Sequence, residues 1–340
     1  MMAITVKTGS HSRILSVGSY RPKQLVMNSD IVDRIESSDE WIQQRTGIQS
    51  RRFAGDEESV VDMACWAAQS AIERAGMTST DIDTVIVATI TFPHQAPSAS
   101  TAIIERLGNP TAAAFDLSAA CAGFSYGVAM AHDFIFAGTS KNVLVIGVEK
   151  LSDFTDPDDR ATAFIFADGA GAVVIGKSET PGIGPVAWGS DAQNRDAISM
   201  DPPWTLMRNA EQKSVADIDW PNISQEGQKV FRWAVYAVSK AALEAIEQAG
   251  LTVNDIDVFI PHQANMRIIE TMAKEMKLPA TTVIADDIRV NGNTSAASIP
   301  LAMDALLSAQ PQLHGKTALI IGYGAGLVYA GQVVELPPKR

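Results

Sequence analysis

Apolar positions along the chain fall into short runs of strand length, separated by amphipathic stretches. DTVIVATI (83–90), NVLVIGV (142–148), GAVVIG (171–176), DVFIP (257–261) and TALIIGY (317–323) are such runs, and each predicts a strand buried on both faces. The segments 59–76, 124–138, 229–250 and 264–277 read as helices. The first three end at Gly76, Gly138 and Gly250, where a helix terminus favours the left-handed backbone open to glycine. Strands alternating with helices from end to end predict an α/β fold. The apolar stretch 317–334 is short and broken by glycines, so it reads as strands around a turn and not as a membrane span.

The pattern also repeats. AIERAGMTSTDIDTVIV (71–87) and AIEQAGLTVNDIDVFIP (245–261) agree at ten of seventeen positions, 174 residues apart. The matches include polar turn residues as well as the apolar period, which predicts two duplicated halves, 1–180 and 181–340. A fainter echo pairs DGAGAVVIG (168–176) with YGAGLVYAG (323–331). The break falls near PGIGP (181–185). The polar stretch from Trp188 to Gly227, with Pro202, Pro203 and Pro221, reads as an extended insertion or flap.

Composition narrows the function classes. With 46% hydrophobic residues the chain has ample core for two domain-sized units, which excludes a disordered protein. Lys+Arg 27 against Asp+Glu 39 gives a net charge of −12, which argues against nucleic acid as a partner while leaving room for a local basic patch. Two cysteines form no disulfide framework and fit a reducing, cytoplasmic location. The first twenty residues carry no apolar stretch of signal-peptide length. No His/Cys/Asp spacing of the metal-binding kind occurs, and no cofactor is implied.

Four places can carry chemistry. Cys121, in DLSAACAGF, sits between a short apolar run and a helical pattern, among small residues that let a ligand approach the sulfur. A helix N-terminus stabilises an anion by up to about 2 kcal/mol. That brings a thiol from its usual pKa of about 8.5 to near 7, so Cys121 is expected to be about half ionised at neutral pH. Cys65 lies mid-helix on an apolar face and reads as core. His262 directly follows a buried-type strand, at the carboxyl end where α/β proteins place their chemistry. Asn293 stands in NGNTS, a turn before a helix, a position that also suits a simple cap. GYGAGL (322–327) is a glycine-rich turn able to present backbone N–H groups to an anion.

DLSAACAGF, PHQANMRI, GNTSAASIP and GYGAGL occur in this order, with DEWIQQRTGI (39–48) and DRATAFIFADGAGAVVI (159–175). Together they resemble β-ketoacyl-acyl-carrier-protein synthase III, the initiating condensing enzyme of fatty-acid synthesis in the thiolase-like superfamily. The resemblance covers nearly the whole chain. It implies a five-layered αβαβα fold, a homodimer, and an acyl-coenzyme A and malonyl-acyl carrier protein as substrates. It implies that Cys121 is the acyl-accepting nucleophile, that His262 and Asn293 drive decarboxylation, and that the N–H groups of Cys121 and Ala325 form an oxyanion hole. Trp41 and Arg160 match residues that sandwich the adenine of coenzyme A. Arg45, Thr46 and Asn265 match others along its channel. Arg232, Arg267 and Lys274 match a basic patch for the acidic carrier, and Ala96 and Phe166 match the acyl pocket. Three positions depart from the common pattern. Ala325 stands where Gly is frequent and Tyr323 where Phe is common, and Ala96 stands where some members close the acyl pocket with a bulky aromatic. The small Ala96 implies a longer pocket. A synthase of a specialised pathway shares these motifs, and a hydrolase of another class also uses Cys, His and Asn in this chain order. A thiolase is disfavoured, because the chain has no cysteine after Cys121.

Overall fold

The structure is a computed structural model, which describes residues 9–203, 205 and 220–339. The predicted strands form as Thr84–Ala88, Asn142–Lys150, Asp168–Ser178, Val258–Pro261 and Thr317–Gly324. The predicted helices form as Val60–Arg74, Gly123–Phe136 and Met266–Glu275, while the segment 229–250 is interrupted. It runs as α-helix over Gly227–Trp233, widens to a π-helical turn over Ala234–Val238, and resumes as α-helix over Ser239–Gln248. The periodicity of apolar residues does not register such a bulge. The polar stretch after Trp188 holds short strands, Ala187–Ser190, Ile198–Asp201 and Asn222–Gln225, and the rest of it, 204 and 206–219, lies outside the described residues.

Two five-stranded sheets organise the chain. The first has the order Ala113–Leu117, Thr84–Ala88, Asn142–Lys150, Asp168–Ser178, His11–Tyr20. The second has the order Val283–Ile284, Val258–Pro261, Thr317–Gly324, Val328–Glu335, Ala187–Ser190. In each, the first three strands are parallel and the last two antiparallel. The sequence repeat builds the same turn in both. The N–H of Thr78 donates to Asp81 and that of Thr252 to Asp255, each at 2.8 Å. Five residues after each of those donors an aspartate repeats a second contact: the Asn142 N–H donates to Asp83 at 2.9 Å, and the Thr317 N–H to Asp257 at 3.1 Å.

Alternation along the strands explains the layering. Ile86 and Val145 point inward with Ile260 and Ile320 of the second sheet, and between them pack the helices Gly123–Phe136 and Ser298–Ala309 through Phe124, Val128, Ile299 and Met303. Val85, Val87, Leu144 and Ile146 face outward onto Met63, Ala67 and Ile72 of the helix Val60–Arg74. Phe259, Leu319 and Ile321 face outward onto Ile246, Ile269 and Met272. The result is five layers, αβαβα, with two central helices that each begin where strands of their half end. No helix among the described residues is long and apolar enough to cross a membrane.

Candidate active site

Cys121 lies in a 3-10 turn, Ala120–Ala122, between the strand Ala113–Leu117 and the helix Gly123–Phe136. Ala120 takes a left-handed backbone, φ 45°, a strained state that persists only where surrounding structure imposes it. The glycine-rich turn explains part of the constraint. A Cβ on Gly324 would stand 2.6 Å from Cys121 Cβ and 2.9 Å from its sulfur, so only glycine lets this strand end close over the thiol. The N–H groups of Cys121 and Ala325 both act on the sulfur as hydrogen-bond donors.

The expected half-ionised thiol is not found. Burial foremost, helped by the charge of Glu149, pushes the Cys121 pKa up to about 12, against the lowering hydrogen bonds of Ser295, Cys121 N–H and Ala325 N–H. The helix end favours the ionised sulfur, but the loss of water around it is the larger effect. Cys65 is half-buried against the outer core, and burial raises its pKa to about 11.

His262 follows the strand Val258–Pro261 and is buried. Loss of water lowers its pKa to about 3, so the ring is neutral at physiological pH. Its Nδ1 lies 2.8 Å from Ser298 Oγ, which also accepts the Gln263 N–H at 3.2 Å. Ser298 thus holds the Nδ1 side of the ring and leaves Nε2 as the nitrogen free for other partners. Asn293 Oδ1 accepts the Ser295 N–H at 2.8 Å, which turns the Asn293 NH₂ outward as a donor. Its backbone is pinned to the segment of Phe166, through Asn293 N–H to Ile165 O and Ala167 N–H to Asn293 O, both 2.9 Å. Cys121, His262, Asn293, Phe166 and Tyr323 line one cavity of about 100 Å³. The Tyr323 hydroxyl is buried with no partner among the described residues, and its ring meets His262 edge-on at 5.2 Å.

A larger cleft of about 500 Å³ adjoins this cavity, sharing Ile165, Gln225, Phe231 and Asn265 with it. Trp41, Arg45, Thr46, Arg232 and Arg267 line it. The guanidinium groups of Arg45 and Arg160 each lie 5.6 Å from the Trp41 ring centre. Asn265 caps the helix Met266–Glu275 by accepting the Arg267 N–H at 2.9 Å, and donates to Arg45 O at 3.1 Å, so it ties that helix to Asp39–Thr46. Lys274 is exposed on the same helix and lies outside the cleft lining. None of Arg45, Arg160, Arg232, Arg267 and Lys274 forms an ion pair among the described residues. Ala96 stands exposed and lines neither the cavity nor the cleft in the single chain.

Comparison with known proteins decides the family. The family models of 3-oxoacyl-[acyl-carrier-protein] synthase III match over residues 115–192, and for its C-terminal part over 246–336. The β-ketoacyl-[acyl-carrier-protein] synthase III of Streptomyces glaucescens is 52% identical over 97% of this chain and 98% of its own. The chain belongs to the β-ketoacyl-acyl-carrier-protein synthase III family. The synthase III of Kocuria rhizophila is 51% identical over 96% of this chain and 97% of its own. The priming β-ketosynthase of the R1128 polyketide pathway superposes with a TM-score of 0.95 at 43% identity, covering all of both chains. The thiolase-like fold and the condensing, acyl-transferring class of enzyme follow, and the hydrolase alternative gives way.

Sequence reading passed over Ser295, Ser298 and Glu149. The signal was present in part: GNTSAAS places hydroxyls two and five residues after Asn293, and Glu149 is a lone acid at the end of an apolar strand.

Proposed function

We propose that this enzyme condenses an acyl-coenzyme A primer with malonyl-acyl carrier protein through an acyl-Cys121 intermediate. The observation that carries the reading is the meeting of Cys121, a neutral His262 and an outward-turned Asn293 NH₂ around one cavity. Cys121 attacks the primer thioester and coenzyme A leaves. The N–H groups of Cys121 and Ala325 hold the developing oxyanion. Malonyl decarboxylation then needs donors on the thioester oxygen, and not a base. His262 Nε2–H and the Asn293 amide supply them.

Trp41, Arg45, Thr46, Arg160 and Asn265 bind coenzyme A along the larger cleft, with Arg160 swinging off Trp41 to admit the adenine. Arg232, Arg267 and Lys274 dock the acidic carrier. Two copies pair as a homodimer, and Phe166 with Ala96 of the neighbouring copy borders the acyl chain. The R1128 likeness favours one second reading, a priming synthase of a specialised pathway with the same chemistry and a different primer.

His262→Ala and Asn293→Ala are expected to slow malonyl decarboxylation about 10²–10³-fold while an acyl adduct on Cys121 still forms. Equal loss of both half-reactions defeats this division of labour. Mass spectrometry with a panel of acyl-coenzyme A esters checks the pocket: adducts are expected beyond acetyl, and acceptance of acetyl alone would reject the role given to Ala96.

A further inference from the structure

We propose that Glu149 takes the Cys121 thiol proton through the Ser295 hydroxyl, holds it during the acyl-enzyme stage, and returns it when the sulfur is expelled. The inference rests on the acyl-Cys121 reading above and adds the proton path which that reading lacks. A thiol with a pKa of about 12 is ionised only to about one part in 10⁵ at pH 7. In the reading above His262 serves as a donor through Nε2 while its Nδ1 is engaged by Ser298, so the thiol proton goes to another acceptor.

Glu149 is fully buried at the end of the strand Asn142–Lys150 and has no ion-pair partner among the described residues. One carboxylate oxygen accepts the Thr91 hydroxyl at 2.7 Å, the Thr89 hydroxyl at 3.2 Å and the Ile90 N–H at 3.1 Å. The other accepts the Ser295 hydroxyl at 3.2 Å; Ser295 also pairs with the Cys121 sulfur, its one hydrogen going to Glu149 while the thiol is protonated and to the sulfur when it is ionised. A continuous line of three groups therefore runs from the thiol to a carboxylate. Ser295 is held in this line by strain, with φ 48°, and by its N–H bond to Asn293.

The surroundings leave the carboxylate free for this task. Lys150 turns its ammonium to Gly55 O and Asp153. Asp168, on the adjoining strand, is committed to Ala54 N–H and Ser152. The 89–91 segment offers hydroxyls and an amide, and Cys121 is the titratable group coupled to Glu149 by charge. Burial raises the Glu149 pKa to about 7, the range in which an acceptor works best at neutral pH.

The proton balance closes. In acyl transfer the S–H bond of Cys121 breaks as its sulfur bonds the acyl carbon. The proton passes to Ser295 Oγ while the Ser295 proton passes to Glu149. The thioester C–S electron pair leaves with coenzyme A, whose thiolate takes a proton from solvent. In condensation, loss of CO₂ leaves an enolate that bonds the acyl carbon. The C–S pair returns to the Cys121 sulfur, which recovers its proton from Glu149 through Ser295. Nothing is oxidised or reduced.

The test follows acyl-Cys121 formation from acetyl-coenzyme A by rapid-quench mass spectrometry across pH 5.5–9, with iodoacetamide alkylation in parallel. Wild type, Glu149→Gln and Ser295→Ala are compared, together with the double variant. The wild-type rate is expected to rise through an inflection near pH 7. Both single variants should lose that inflection and fall roughly tenfold or more at pH 7, and the double variant should be no slower than either. If Glu149 acts only by its charge, removing it eases thiol ionisation and Glu149→Gln reacts faster. A faster rate or an unchanged profile overturns the proposal. Should Glu149→Gln not fold, Ser295→Ala decides alone, because it leaves Glu149 and its other three donors in place. Wild-type protein that takes up no acyl group from acetyl-coenzyme A or from any longer ester of the panel would overturn the acyl-enzyme reading itself, whereas adducts forming equally in all variants would overturn only the relay.

Discussion

Burial assigns His262 its protonation state, and with it a donor's role. The folded ring titrates at about 3 against a usual 6.5. Between those pH values the unfolded chain binds a proton that the folded chain refuses. The corresponding stability is present above pH 6.5 and is lost as pH falls toward 3, on a scale of about 5 kcal/mol. Urea midpoints measured from pH 7.5 down to 4.5 should therefore fall less steeply for His262→Ala than for wild type; parallel slopes would contradict the assignment. The opposite lesson holds at Cys121. Residue type and position at a strand-to-helix turn marked it from sequence. Its ionisation was misjudged because the desolvation comes from Gly324 and its neighbours, some two hundred residues away in the chain. Ser298 was invisible for the same reason, being joined to His262 only by a contact across 36 positions.

At the scale of elements, the site depends on how closely two turns approach two strands. Gly147 sits in the strand Asn142–Lys150, and a Cβ there would fall 2.2 Å from Ala296 O. Gly147→Ala must push back the Ser295–Ala297 turn, which follows Asn293, donates the Ser295 N–H to it, and leads into Ser298. The expected cost is about 1–3 kcal/mol or more, seen as a lower melting temperature, together with loss of condensation; a variant with native stability and turnover would show that the approach is dispensable. The strained turns at Ala120 and Ser295 open the two central helices, one in each half. The strands and most helices were legible as apolar runs and helical periods. The π-helical turn at Ala234–Val238 was not, because a one-residue widening barely disturbs the spacing of buried positions.

Across the whole molecule, charge is distributed unevenly. A chain of net charge −12 gathers Arg45, Arg160, Arg232, Arg267 and Lys274 on or near one cleft without carboxylate partners among the described residues. Unpaired cations at a site mouth steer an acidic partner, and salt weakens that steering. Lys274 lies outside the cleft lining, so Lys274→Glu should raise KM for the malonyl carrier several-fold at low salt. It should do so less at high salt, and leave acylation by coenzyme A esters unchanged. Steady-state kinetics at two ionic strengths check this, and an effect confined to acylation would place Lys274 elsewhere.

The sequence by itself determined the alternation of strands and helices, the repeat, and which residue types stand at the ends of which strands. Those follow from local spacing, and the same turn bonds recur at Thr78 and Thr252 because the same residues do. Only the tertiary structure decided which groups meet and in what charge state. Cys121, His262 and Asn293 line one cavity with Glu149 behind Ser295, and the water excluded by that packing is the main cause of the pKa of each titratable group among them.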